Sequence, residues 1–285
     1  MTGLPGQVDV SAVLPLLERE PLRYLVTLKM INSHADSMTF FLYRGASERA
    51  VAEWAVLSLL PTEASDWDRK AYPDTSFVVF IDAASLAACR PILGMLPPGP
   101  IVVKTGDREL QWYLEDGMHA SKVSSYISFT APAPPQEIPV QEVSPRCDHD
   151  PRAWSFFAAN GYEATELERH IRNGARWFGA EAEGQLASAC FAFQNYGNVW
   201  EIGGVYTEPR YRRKGLARKV VGSALTYLLS LRRTPRYQVK WDNLASIQLA
   251  REAALKEFLT VNHYRIAGAQ AREPHDWLPS HAGRT

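Results

Sequence analysis

Residues 199–217 read VWEIGGVYTEPRYRRKGLA, the densest run in the chain of groups able to do chemistry. A strand ends at Thr207, and Pro209 stops it. The chain then turns through Arg212-Arg213-Lys214-Gly215-Leu216-Ala217 into a long helix. A helix N-terminus carries backbone N–H groups without intrahelical partners. Here two arginines and a lysine reinforce their partial positive charge, and the combination suits a pyrophosphate. Gly215 permits a tight turn and close backbone approach, and small Ala217 keeps the wall low. The turn is no Walker loop and no dinucleotide fingerprint, because G-x-x-x-x-G-K-[ST] and G-x-G-x-x-G are both missing. Taken alone, RRKG also fits a solvated basic helix start or a contact to a DNA phosphate. Upstream, Glu201 stands on the strand. Alternation puts 201, 203, 205 and 207 on one face, so a carboxylate is expected on the Val205/Thr207 side, with room left by Gly203 and Gly204.

These residues resemble the GNAT acyltransferase superfamily, whose acyl-CoA loop reads [Q/R]-x-x-G-x-[G/A]. The strand exit Val205-Tyr206-Thr207-Glu208-Pro209-Arg210-Tyr211-Arg212 is similar as well. Downstream, Trp241-Asp242-Asn243-Leu244-Ala245-Ser246-Ile247-Gln248-Leu249 is similar to the second motif, a strand followed by N-x-x-[SA]-x-x-L. The similarity covers about 140–268. It implies a cofactor site in which backbone N–H groups of Arg213, Lys214, Gly215, Leu216 and Ala217, with Arg212 beside them, hold the pyrophosphate of acetyl-CoA or another acyl-CoA. Val205, Tyr206 and Thr207 would face pantetheine from a strand splayed away from 236–241. Asn243 would hydrogen-bond pantetheine, and Ser246 would face the same channel. In the histone-acetyltransferase branch, a Glu at the spacing of Glu201 serves as general base, needed because an ammonium must lose a proton before it attacks a thioester. The other reading of Glu201 is a strand carboxylate paired with Arg or Lys. No metal is implied. The expected reaction is transfer of acetyl to a primary amine of a small molecule or amino acid, by direct attack in a ternary complex. An acyl-CoA-binding sensor or scaffold without turnover is the alternative.

The sequence departs from the family pattern at two places. Where many members carry a Tyr that protonates the leaving thiolate, seven residues after the motif Asn, this chain has Ala250. Tyr206 or Tyr264 could substitute, or no acid is needed, since thiols have pKa values of roughly 8–9. The usual Gly-Phe after the second motif is Glu257-Phe258.

The elements that must position these groups alternate. Asp150 and Pro151 open a helix, and a second spans 164–173. Strands are expected at 176–181, 185–193 and 199–207, a helix at 213–233, a strand at 236–241, a helix at 243–257 and a last strand near 259–267. The first half reads as strand 38–43, helix 46–60, strand 76–81, helix 83–95, strand 100–104, helix 107–116 and strand 123–130. The fold class is therefore α/β with a mixed sheet: a GNAT-like domain at 140–268 with splayed central strands, a smaller or similar-sized α/β domain at 1–130, a Pro-rich linker at 131–139 (APAPPQEIP) and a tail at 269–285. The stretches from Pro100 and from Pro235 run in the same order of strand, helix and strand. Duplication and the generality of that unit both explain the match. Between strand 76–81 and its helix stands Asp82-Ala83-Ala84-Ser85, without glycine and with an acid that would repel a pyrophosphate, so the first half is expected to shape the acceptor pocket or pack against the second.

Composition narrows the partners. Among 285 residues, Lys+Arg and Asp+Glu both number 31 and the formal net charge is +0, which excludes a chain-wide attraction to nucleic acid or anionic membrane. The start, MTGLPGQVDV, has no basic run or apolar core, and the apolar stretch 220–231 is shorter than the roughly 20 residues a bilayer needs. Cys89, Cys147 and Cys190 lie far apart with no C-x-x-C, which fits a reducing cytoplasm. Cys147-Asp148-His149 has no partner cluster and reads as loop. Trp241 is placed near substrate. The sequence does not specify the oligomeric state.

Overall fold

The computed structural model describes residues 4–45, 53–131 and 141–267. The linker and tail read from the sequence fall outside these, apart from Ala131. Contacts divide the chain into two compact units that are not successive halves. The first holds residues up to Val13, His34–Val123 and those from His263 on; the second holds Leu14–Ser33 and Ser124–Asn262. The split near residue 131 thus follows chain order, whereas contacts follow strand pairing.

In the first unit the strands lie in the order β1 (Gly6–Val8), β2 (Thr39–Gly45), β3 (Glu53–Pro61), β4 (Phe77–Ala83) and β5 (Ile101–Thr105). All neighbours are antiparallel except β4 and β5, which run parallel. The sequence puts a helix over 46–60, but residues 53–61 form β3. Trp54–Leu60 are buried without interruption. A run buried on both faces carries neither alternation nor a helical stripe, and β2 and β4 take its hydrogen bonds on either side. The sequence reading also missed two helices, α1 (Val10–Leu17), shared between the units, and α2 (Leu25–His34), which belongs to the second but for His34. The short helices α3 (Asp66–Ala71), α4 (Leu86–Leu93) and α5 (Arg108–Trp112) complete this unit.

The second unit orders its strands β6-β10-β9-β8-β7, with β6 at Ser121–Thr130, β7 at Arg176–Ala182, β8 at Gln185–Tyr196, β9 at Val199–Thr207 and β10 at Thr234–Lys240. Helices α6 (Pro151–Ala158) and α7 (Ala164–Arg172) cover one face; α8 (Leu216–Ser230) and α9 (Leu244–Glu252) cover the other. The alternation of β8 explains this. Ala189, Phe191 and Phe193 pack with α6 and α7, while Cys190 and Ala192 pack with α8 and α9. Asp150 caps α6 by accepting from the Arg152 N–H at 3.0 Å. Helix α9 stops at Glu252, not 257, because Ala254 turns left-handed at φ 58 and the Leu255 N–H returns to Ala250 O. Strand β11 (Lys256–Ile266) follows.

Candidate active site

The parallel pair β9/β10 is joined only at its start: Thr234 faces Val199, Pro235 faces Trp200 and Arg236 faces Glu201. Beyond Glu201 and Arg236 the two strands part. Each keeps its outer neighbour, β10 staying paired to β6 as far as Lys240/Tyr126 and β9 to β8 as far as Thr207/Ser188. The result is an open slot edged by backbone groups.

Glu201 and Arg236 form the vertex of that slot. Arg236 Nη1 donates to Glu201 Oε2 at 2.7 Å, Asn195 Nδ2 donates to the same oxygen at 3.0 Å, and the Gln238 backbone N–H donates to Oε1 at 2.9 Å. The last bond ties the carboxylate to the parted section of β10. Arg236 Nη2 also donates to Ser128 Oγ at 3.1 Å. Both ionic side chains are buried, at 5% and 10% exposure. Of the two readings of Glu201, the ion pair is present. One lone-pair direction on Oε1 remains for a further donor. Two buried atoms at this vertex lack a protein partner, Asn195 Oδ1 and Arg236 Nε.

The expectation that 201, 203, 205 and 207 share one face fails at Gly204. The residue is left-handed (φ 62), and the ladder slips between Ala189/Tyr206 and Phe191/Gly203. This bulge adds a residue and reverses the alternation. Glu201, Gly203 and Tyr206 therefore share the α6/α7 face, while Val205 packs on the α8/α9 side. Only glycine fits at 204, because a Cβ would stand 2.7 Å from Phe191. The Tyr162 hydroxyl lies over the bulge, 2.9 Å from where a Gly203 Cβ would be. Burial and the carboxylates of Glu201 and Glu166 push this phenol well above its usual range, so it stays protonated.

Ahead of α8 the turn leaves backbone N–H groups without side-chain caps. Arg213 (φ 60) and Gly215 (φ 79) are both left-handed, which turns successive N–H groups to one side. Gly215 is the N-cap of α8 and supplies no side-chain cap, so the first-turn N–H groups are uncapped. Nothing lies within 4 Å of a Cβ placed there. Tyr211 anchors the turn from beneath: its hydroxyl donates to Glu183 at 3.0 Å, and Arg210 and Lys214 sit over its ring at 4.6 and 5.2 Å. Arg212 Nε donates to Thr207 O at 3.1 Å, which occupies one carbonyl expected to face pantetheine. Asn243 caps α9, its Oδ1 accepting the Ser246 N–H at 3.1 Å, and keeps its amide N–H₂ as a donor. The Tyr237 phenol is buried, and burial raises it to about 12. Trp241 is 57% exposed just past β10.

Neither phenol offered in place of the missing Tyr fits easily. Tyr206 packs its ring on Phe156 at 4.7 Å. Tyr264 lies buried in the core of the first unit and donates to Glu115 at 2.7 Å. Ala250 is fully buried. Sequence reasoning missed Tyr162, Asn195 and Arg236. The one signal was an arginine inside the otherwise apolar start of a strand.

Among the described residues, the first unit shows no such turn. Its parallel pair β4/β5 ends at Phe80/Lys104, and there the buried Lys104 ammonium meets Asp68 at 2.5 Å with the Trp67 ring 5.0 Å away. Helix α4 is capped by its own Ser85, which accepts the Ala88 N–H at 3.2 Å.

No helix among the described residues is long and apolar enough to cross a membrane, and no cluster of three metal-ligating side chains occurs among them. Residues 142–254 match the acetyltransferase (GNAT) family. No curated protein matches the chain. Among solved structures, an acetyltransferase of the GNAT family from Colwellia psychrerythraea is similar at 13% identity and TM-score 0.58, over 92% of this chain and 99% of that one. A Drosophila protein is similar at 14% identity and TM-score 0.55, over 92% and 97%. At these identities the likeness concerns fold alone. The match to the acetyltransferase (GNAT) family covers 142–254, the stretch that holds the splayed strands and the uncapped turn.

Proposed function

We propose that the second unit transfers an acyl group, acetyl first among candidates, from acyl-CoA to a primary amine of a small molecule or amino acid. One observation carries this reading: β9 and β10 part immediately after Glu201/Arg236, and the slot leads to the uncapped N-terminus of α8. In this reading the N–H groups of Arg213–Ala217 hold the pyrophosphate, and the Asn243 amide donates to pantetheine. An N–H near Val205, re-aimed by the Gly204 bulge, stabilises the oxyanion. The ammonium gives one proton through the remaining lone pair of Glu201, directly or by a water, and Glu201 passes it to solvent. The freed amine nitrogen then bonds the thioester carbonyl carbon, sheds its second proton to solvent as the C–S bond breaks, and the thiolate takes a proton from Tyr162 or solvent. The products are an amide and free CoA.

Two features favour the alternative of an acyl-CoA-binding protein without turnover: three donors already engage Glu201, and Ala250 supplies no acid. Titrating acetyl-CoA by calorimetry into wild type, Gly215→Ala and Gly215→Glu tests the site. Alanine adds left-handed strain of about 1–2 kcal/mol but meets open space; glutamate adds like charge at the pyrophosphate. Binding retained by alanine and lost by glutamate supports the pyrophosphate site. Equal binding by all three rejects it. Turnover against an amine panel, with Glu201→Gln as control, separates enzyme from sensor.

A further inference from the structure

Trp241 is exposed and has no part in the acyl-transfer reading. It stands directly after β10, and its indole meets no ring and no side-chain hydrogen-bond partner among the described residues. Leu244, the first residue of α9, is 74% exposed. Among the described residues of the second unit, three large apolar side chains are exposed, Leu231, Trp241 and Leu244, and two of them fall on this one turn. A single exposed apolar residue is ordinary, whereas two together on a fixed turn call for a cover. The turn is fixed because its backbone is tied. The Trp241 N–H donates to Ser125 O at 3.0 Å, the Asn243 N–H donates to Lys240 O at 2.9 Å, and Asn243 caps α9. The charges on either side of the indole answer each other, Lys240 lying 3.1 Å from Asp242.

The ladder gives the position of the indole. The bond to Ser125 continues the pairing of β10 with β6 one residue past Lys240/Tyr126, so alternation still holds at Trp241. Tyr237 and Val239 pack on the α8/α9 side, and Trp241 has their parity. The indole therefore stands on the face opposite to Glu201, which looks toward α6 and α7. Strands β9 and β10 run parallel, so both end on the same edge of the sheet, and the helices that follow them begin there, α8 at Leu216 and α9 at Leu244. The two helices share one core cluster, and packed helices stand roughly 8–10 Å apart. Trp241 thus lies at the open end of the slot, on the same edge and the same face as the uncapped turn before α8.

We propose that Trp241 is the stacking platform for the adenine base of acyl-CoA, with Leu244 extending its apolar surface. The inference rests on the acyl-CoA part of the reading above and adds a contact to it. Acyl-CoA has two arms joined at its pyrophosphate. Pantetheine and the acyl group enter the slot; the adenosine stays outside. With the pyrophosphate on the turn before α8, one ribose carries the base across to the start of α9. A purine is flat and presents a π-face, which an indole covers without needing a pocket. The acyl group and the acceptor amine meet at the vertex, beside Glu201 and on the other face, so neither reaches Trp241.

Calorimetry on the full chain tests this with acetyl-CoA and with acetyl-4′-phosphopantetheine, which lacks the adenosine, in wild type, Trp241→Ala and Trp241→Phe. Circular dichroism checks that both variants fold. Trp241→Ala is expected to weaken acetyl-CoA roughly tenfold and to leave the fragment unchanged, while Trp241→Phe keeps most of the affinity. An equal loss for both ligands overturns the inference, because the indole would then touch pantetheine or shape the slot. Unchanged affinity for acetyl-CoA in Trp241→Ala overturns it too; a smaller assembly of that variant in light scattering would then assign the patch to a second copy of the chain. Failure of the wider reading looks different, since wild type would bind neither ligand. In that case 3′-phosphoadenosine 5′-diphosphate, the nucleotide arm alone, decides. Binding that depends on Trp241 keeps the platform, and its absence removes it.

Discussion

Replacing Arg236 with methionine removes one half of the vertex while keeping most of its length. The cost follows from what is left behind. Glu201 would remain buried with two neutral donors, Asn195 and the Gln238 N–H, and without its ion-pair partner; Ser128 would lose its donor. Breaking a buried ion pair from one side costs about 3–5 kcal/mol. For a unit of this size about 2–4 °C accompanies each kcal/mol, so the melting temperature should fall by roughly 6–20 °C. Circular dichroism melts and urea titrations of wild type, Arg236→Met, Glu201→Gln and the double variant would measure it. The double variant should recover about 2 kcal/mol relative to Arg236→Met alone, because no unpaired charge then remains buried. A single-variant cost below about 1 kcal/mol, or strictly additive effects, would refute the view that this pair is a desolvated wedge between the strands.

Other expectations concern separate parts of the molecule. Gly204→Ala combines left-handed strain with a 2.7 Å clash against Phe191, whereas Gly161→Ala, at φ 86, meets nothing. The former should cost at least about 2 kcal/mol more by urea titration, and equal losses would contradict the bulge geometry. His263 is held neutral: burial first, and then the Lys104 charge, lower its pKa from 6.5 to about 3. Between those values the unfolded chain binds a proton that the folded chain refuses. Its contribution is therefore complete above pH 6.5 and lost as the pH falls toward 3, by up to roughly 3–5 kcal/mol. His263→Asn should flatten that acid slope, and an unchanged slope would place its origin elsewhere. Of the three cysteines, Cys147 is exposed while Cys89 and Cys190 are buried, with burial raising Cys89 to about 12. A thiol reagent should therefore label native protein once, at Cys147, and three times after unfolding. Rapid labelling of Cys190 would mean that β8 opens readily.

Much of the site was legible in the chain because its determinants are local. Gly215 after a basic run, Pro209 ending a strand, and the Asp150-Pro151 helix start act within a few residues, so spacing alone reveals them. The order of strands and helices across 176–252 follows from apolar periodicity, which is also local. What escaped the sequence depends on partners far along the chain. Trp54–Leu60 is a strand because two neighbouring strands bury it on both faces. One glycine at a bulge moved Tyr206 onto the face of Glu201 and Val205 off it. Glu201 took its three donors from positions 195, 236 and 238. The sequence by itself therefore determined the basic turn ahead of α8, the resemblance across 142–254 and the order of elements over 176–252, whose causes are backbone preferences and short-range spacing. Only the tertiary structure decided which charges face one another across the slot, because a charge pair is made by strand register and helix packing, and neither is written in nearest neighbours.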